Sequence, residues 1–153
     1  MKKNKKLQIT HLEAKLSEFA AAEKVAQPPI GWIKAVRTSL GMTLKQMAKR
    51  LSITKQSAME IEKREQEGSI TLRALREAAH ALDMELVYGL APKDGTLHSL
   101  IERKARALAK EIVLRTAQSM KLEDQGNSEI RLKEAIEERM LQITYEMPKT
   151  LWD

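Results

Sequence analysis

The stretch TLKQMAKRLSITKQSAMEIE, residues 43–62, encodes two short helices joined by a tight turn, and that pairing constrains the rest of the chain. Thr43 stands where a helix N-cap belongs, with Gln46 three residues on, as a capping box requires. Leu44, Met47, Ala48 and Leu51 make the inward face of the first helix. Ser52 and Ile53 supply the turn, and Thr54 caps a second helix from Lys55 to about Lys63. Ala48 is the small residue at the contact, since a larger side chain there would push the helices apart. Ala58 and Ile61 point inward from the second helix, which leaves Lys55, Gln56, Met59 and Glu60 for the outside.

Charge adds an independent signal. Between Glu23 and Glu60 there is no acidic residue, yet there are seven basic ones: Lys24, Lys34, Arg37, Lys45, Lys49, Arg50 and Lys55. The net charge of +6 comes from residues 1–91, because residues 92–153 carry eleven charges of each sign. A pair of helices with this spacing is a helix-turn-helix, whose second helix enters a DNA major groove with its first residues at base edges. Stripping it of acids removes what phosphate would repel. In that geometry Gln56 pairs with adenine N6 and N7, and Lys55 donates to guanine O6 and N7 or to phosphate. Thr43, Gln46 and Thr54 are placed to meet phosphate at helix starts, and Lys49 and Arg50 to hold the backbone irrespective of sequence. The candidate DNA-binding set is thus Thr43, Gln46, Lys49, Arg50, Thr54, Lys55, Gln56, Met59 and Glu60.

Around this pair the pattern stays helical. Ile9, Leu12, Leu16 and Phe19 recur at helical spacing, so a helix is predicted over 7–26, preceded by a disordered basic arm and broken by Pro28 and Pro29. Trp32, Ile33, Val36 and Leu40 predict a helix over 31–40 with Trp32 in the core, and Gly41 stops it. Residues 65–68 read as a loop. Thr71 caps a helix through Leu72, Leu75, Ala79 and Leu82. Met84, Leu86, Tyr88 and Leu90 then alternate with Glu85, Val87 and Gly89, which suits a short strand or a last helical turn, the strand being the better fit. Thr96 caps a long helix to about Met120, and a final helix is expected from Ser128 to Ile143.

Several function classes are excluded on composition. Cysteine is absent, which rules out disulfides and thiolate metal sites. His11, His80 and His98 fall in separate helices with no ligand spacing, so no metal and no cofactor is expected. No nucleophile–base pair or glycine-rich phosphate loop is present, so no catalytic residue and no enzyme activity are expected. One Phe, two Tyr and two Trp are too few for a base-stacking platform. With no membrane-length apolar run and no secretory signal, the chain reads as cytoplasmic and soluble.

The segment resembles the phage-repressor class of helix-turn-helix proteins, the Xre family, over roughly residues 31–90. Ser52 stands where that class usually has glycine. The blocks PPIGWIKAVRTSLGMTLKQMAKRL and GSITLRALREAAHALDMELVYGLAP, then ARALA and SMKLEDQ, resemble the family called mobile mystery protein A. That resemblance implies a neighbouring Fic-domain partner and an antitoxin-like role beside promoter binding. It also draws attention to Ser119 and Glu123, which match the start of a Fic-inhibitory Ser-x-x-x-Glu pattern, although Asp124 follows in place of Gly or Asn.

The expected fold is all-α. A basic arm and N-terminal helix occupy 1–27, the DNA-binding domain 28–91 and a helical extension 92–153. The expected function is operator binding as a homodimer, giving transcriptional repression. The last two helices or the 84–90 segment would form the dimer surface. The competing expectation is a protein–protein module that neutralises a toxin directly and whose helix-turn-helix is vestigial.

Overall fold

A computed structural model describes residues 3–120 and 129–153, all of it helix, turn and coil. By internal contacts the chain divides into two compact units, residues 24–89 and residues 1–23 with 90–153.

The 24–89 unit holds four helices: α2 (Trp32–Ser39), α3 (Leu44–Arg50), α4 (Lys55–Glu67) and α5 (Leu72–Ala81). Threonine caps three of them. The side chains of Thr43, Thr54 and Thr71 accept hydrogen bonds from the amides of Gln46, Ser57 and Ala74. The N-terminus of α2 is held differently, by a side chain distant in sequence. The Glu65 carboxylate accepts from the amides of Trp32 (2.8 Å) and Ile33 (2.9 Å). Gly31 makes room for it, because a Cβ there would lie 2.8 Å from Glu65 Oε2.

All four helices end with a residue in the left-handed region: Gly41, Ser52, Gly68 and Asp83. At α3 the amide of Ser52 donates to Lys49 O (3.1 Å) and that of Ile53 to Ala48 O (3.0 Å). These two bonds absorb carbonyls the helix leaves unpaired and aim the chain into α4. The core below consists of Ile33, Met47, Ala48, Ala58, Ala78 and Leu82. Ala48 and Ala58 are both buried in it, as close packing of α3 and α4 requires. Beside this core lies a buried ion pair. Arg37 donates to Glu62 through both Nε and Nη2 and to Met42 O through Nη1 (2.9 Å).

The second unit contains α1 (Lys3–Ser17), α6 (Leu97–Met120), α7 (Glu129–Glu146) and a 3-10 turn at Lys149–Trp152. Its core is Ile101, Ala105, Ala109, Met140, Ile143 and Leu151. Ala105 and Ala109, one helical turn apart and fully buried, let α6 and α7 approach closely. Ile9 of α1 packs on the same core.

Four expectations are corrected. The first helix starts at Lys3 and ends at Ser17, so Lys5 and Lys6 are helical and do not form a loose arm. Ala20, Ala21 and Ala22 favour helix but offer no apolar side chain to anchor one, and all are exposed. Helix α4 runs on through the expected loop to Glu67, since Glu65 is drawn inward to cap α2. Trp32 is 46% exposed, because α2 buries Ile33 and Arg37 on the next face. Residues 84–90 form neither strand nor helical turn, since no strand exists among the described residues to pair with them.

Candidate nucleic-acid interface

Helix α4 buries Ala58, Glu62 and Glu65 and half-buries Ile61. At 3.6 residues per turn, Gln56, Met59 and Glu60 turn away from these residues, while Lys55, seven residues before Glu62, is exposed as the first residue of the helix. All four are exposed, with Met59 at 45%. Neither Lys55 nor Gln56 has a side-chain partner among the described residues, so both are available to an external ligand. Thr54 starts the helix, with its hydroxyl accepting from the Ser57 amide (3.0 Å) and lying 2.9 Å from Ser57 Oγ.

Helix α3 presents its own polar edge next to this. The capping box forms in full: Gln46 N donates to Thr43 Oγ1 (3.2 Å) and Thr43 N to Gln46 Oε1 (2.7 Å). Gln46 is therefore fixed through its oxygen, and its amide nitrogen remains unpartnered among the described residues. Thr43, Lys45, Gln46, Lys49 and Lys55 line one surface groove with Ala48 and Ile53 at its base. Three lysines from two helices thus meet in one place with no carboxylate between them. Such a groove attracts phosphate through a field that needs no particular sequence.

Two of the seven basic residues in the acid-free run are already committed. Arg37 is buried against Glu62. Arg50 donates to Asp83 Oδ2 (2.7 Å) and to Ala81 O (3.1 Å), and it lines a different hollow with Arg76 and His80. The structure therefore brings Thr43, Gln46, Lys49 and Lys55 together and sets Arg50 apart. Lys45 joins the groove and was missing from the candidate set. Its place within the acid-free run was the available signal, as it lies four residues before Lys49 and so shares its side of α3. Ser119 lies exposed near the end of α6, donating to Arg115 O (3.2 Å), and Glu123 falls outside the described residues.

Among the described residues no cluster of metal-ligating side chains forms, and no helix is long and apolar enough to cross a membrane. No curated protein and no solved structure matches the chain. Residues 33–88, from the first buried residue of α2 to the segment after α5, match the helix-turn-helix family model. This stretch contains the capped helix pair, the left-handed turn at Ser52 and the exposed start of α4, and over these residues the chain is similar to the helix-turn-helix family.

Proposed function

We propose that the protein is a sequence-specific transcriptional regulator that represses from an operator bound as a homodimer. The observation that carries this reading is the exposed first turn and a half of α4, set beside a groove of three lysines inside a helix-turn-helix domain. Lysines 45, 49 and 55 neutralise phosphates and fix register. Gln56 reads adenine through its amide, and Lys55 reads guanine or holds phosphate. Met59 lies one turn further along, suited to the methyl of thymine, and Glu60 to the amino group of cytosine. Repression follows when the operator overlaps a promoter.

The test is selection of bound duplexes from a random pool, followed by titration of the preferred site. Replacing Lys55 and Gln56 together with alanine should weaken that site by roughly 10- to 100-fold, the scale of one bidentate base contact. Unchanged affinity and preference would remove α4 from the groove.

The antitoxin-like role beside a Fic-domain protein rests on the resemblance of the sequence blocks, and it is proposed on that basis. A direct protein-neutralising role has one observation in its favour: α7 leaves Ile130, Leu141 and Tyr145 largely exposed. Co-expression with a neighbouring Fic-domain protein discriminates the two. A stable complex that survives Lys55→Ala and Gln56→Ala, with no duplex binding by the parent, would favour direct neutralisation.

A further inference from the structure

The chain leaves α5 through Met84–Gly89, in which Leu86 is half-buried and every other residue is exposed. Asp83 takes the left-handed conformation, and the Met84 amide donates back to Ala79 O (2.9 Å). Arg50 grips both Ala81 O and the Asp83 carboxylate, so the point of departure is tied to the end of α3. Beyond it φ is negative at every residue from Met84 to Gly89. No backbone N–H or C=O of Glu85–Gly89 has a backbone partner among the described residues. Val87 is 72% exposed, Tyr88 62% and Met84 48%. A segment with strand-favouring side chains, alternating polarity and a free row of backbone groups is half of a β-ladder.

We propose that residues 84–89 of two copies pair as an antiparallel two-stranded ribbon centred on Val87, and that this ribbon makes the regulator a dimer. A second copy is the occupant that fits best, for two reasons. First, the segment complements itself. Pairing about Val87 sets Leu86 opposite the copy's Tyr88 and Glu85, the only charge present, opposite Gly89. The two Glu85 carboxylates are then four residues apart along the ribbon, about 13 Å. Shifting the centre to Leu86 would halve that distance and bring like charges together. Second, one helix-turn-helix domain touches few base pairs, so a two-fold copy is what the DNA-binding reading demands. The inference rests on that reading for this second reason only.

The absence of cysteine gives a clean experiment on the full chain without DNA. Val87→Cys, mildly oxidised, should form a covalent dimer, because residues opposite each other at the two-fold have Cβ atoms within disulfide reach. Glu85→Cys should not. In sedimentation, Val87→Asp should weaken the dimer at least tenfold, because it sets two carboxylates face to face, and should leave the helical spectrum unchanged because the side chain is exposed. A parent that is monomeric at micromolar concentration overturns the proposal. So does a dimer indifferent to Val87→Asp, or equal cross-linking of both cysteine variants. A monomeric parent that still selects a duplex would sink the ribbon and leave the DNA-binding reading standing.

Discussion

Ser52 shows how one residue can carry a fold feature at a cost. It occupies the left-handed turn between α3 and α4 with φ of 56°. A side chain in that conformation is strained by about 1 kcal/mol relative to glycine, and no hydrogen bond of the Ser52 hydroxyl offsets it among the described residues. Ser52→Gly should therefore raise stability by about 1 kcal/mol, less what glycine costs in unfolded-state entropy. Thermal unfolding measures this, and a lowered midpoint would show that the hydroxyl matters. The tight turn was legible from the sequence, as were both threonine caps. What was not legible is the burial of Glu62 and Glu65. Acids on a polar helix look solvated until their partners are known, and those partners, Arg37 and the amides of α2, lie at least 25 residues away. Glu65→Ala should destabilise the domain by about 1–3 kcal/mol, the cost of leaving buried donors unpaired. Chemical denaturation checks it, and a loss near zero would mean that water replaces the carboxylate without penalty.

Helix starts were readable because a cap is a local event. Thr43, Thr54, Thr71 and Thr96 all sit where their amide partners lie three residues ahead. The alternation of residues 84–90 was just as visible. A strand, however, is defined by a partner, and alternation alone cannot supply one. The first helix was misplaced for a related reason, since its ends depend on what packs against it. Helix α1 is joined to the start of α6 by Glu13. The backbone amide of His98 donates to its carboxylate (3.2 Å), and His98 Nδ1 lies 2.9 Å from the second oxygen. The amide, then the ring, hold the Glu13 carboxyl below the usual carboxylate range. A carboxyl depressed in the folded state contributes stability that is full above its unfolded pKa and is lost as pH falls through the folded value. Glu13→Gln should therefore flatten the acid side of the stability profile for the α1–α6 packing, by lowering stability at neutral and alkaline pH and leaving it nearly unchanged in acid. Amide exchange in α1, followed from neutral to acid pH, reads this out. An unchanged acid limb would show that the contact contributes nothing.

For the molecule as a whole the deciding quantity is where charge is left uncompensated. Residues 24–89 hold eleven basic and seven acidic side chains. Of the acids, Glu62 and Glu65 are buried, Asp83 is taken by Arg50, and none lines the lysine groove, although Glu60 lies exposed on the neighbouring face of α4. Lysines 45, 49 and 55 are the cations that line that groove. Each phosphate neutralised contributes about 0.9 to the slope of log affinity against log salt. Three lysines on a single protomer give a slope of about −3, and two protomers on a two-fold site give about −5. Lys49→Ala should then reduce the magnitude by about 1 for a monomer and about 2 for a dimer, on specific and random duplexes alike. Arg50→Ala should change it less, because its guanidinium already has two protein acceptors. The slope thus reports both the phosphate contacts and the number of domains that make them. A flat response on every duplex would mean that the lysine groove never meets phosphate, and the exposed face of α4 would then have to be explained by a protein partner.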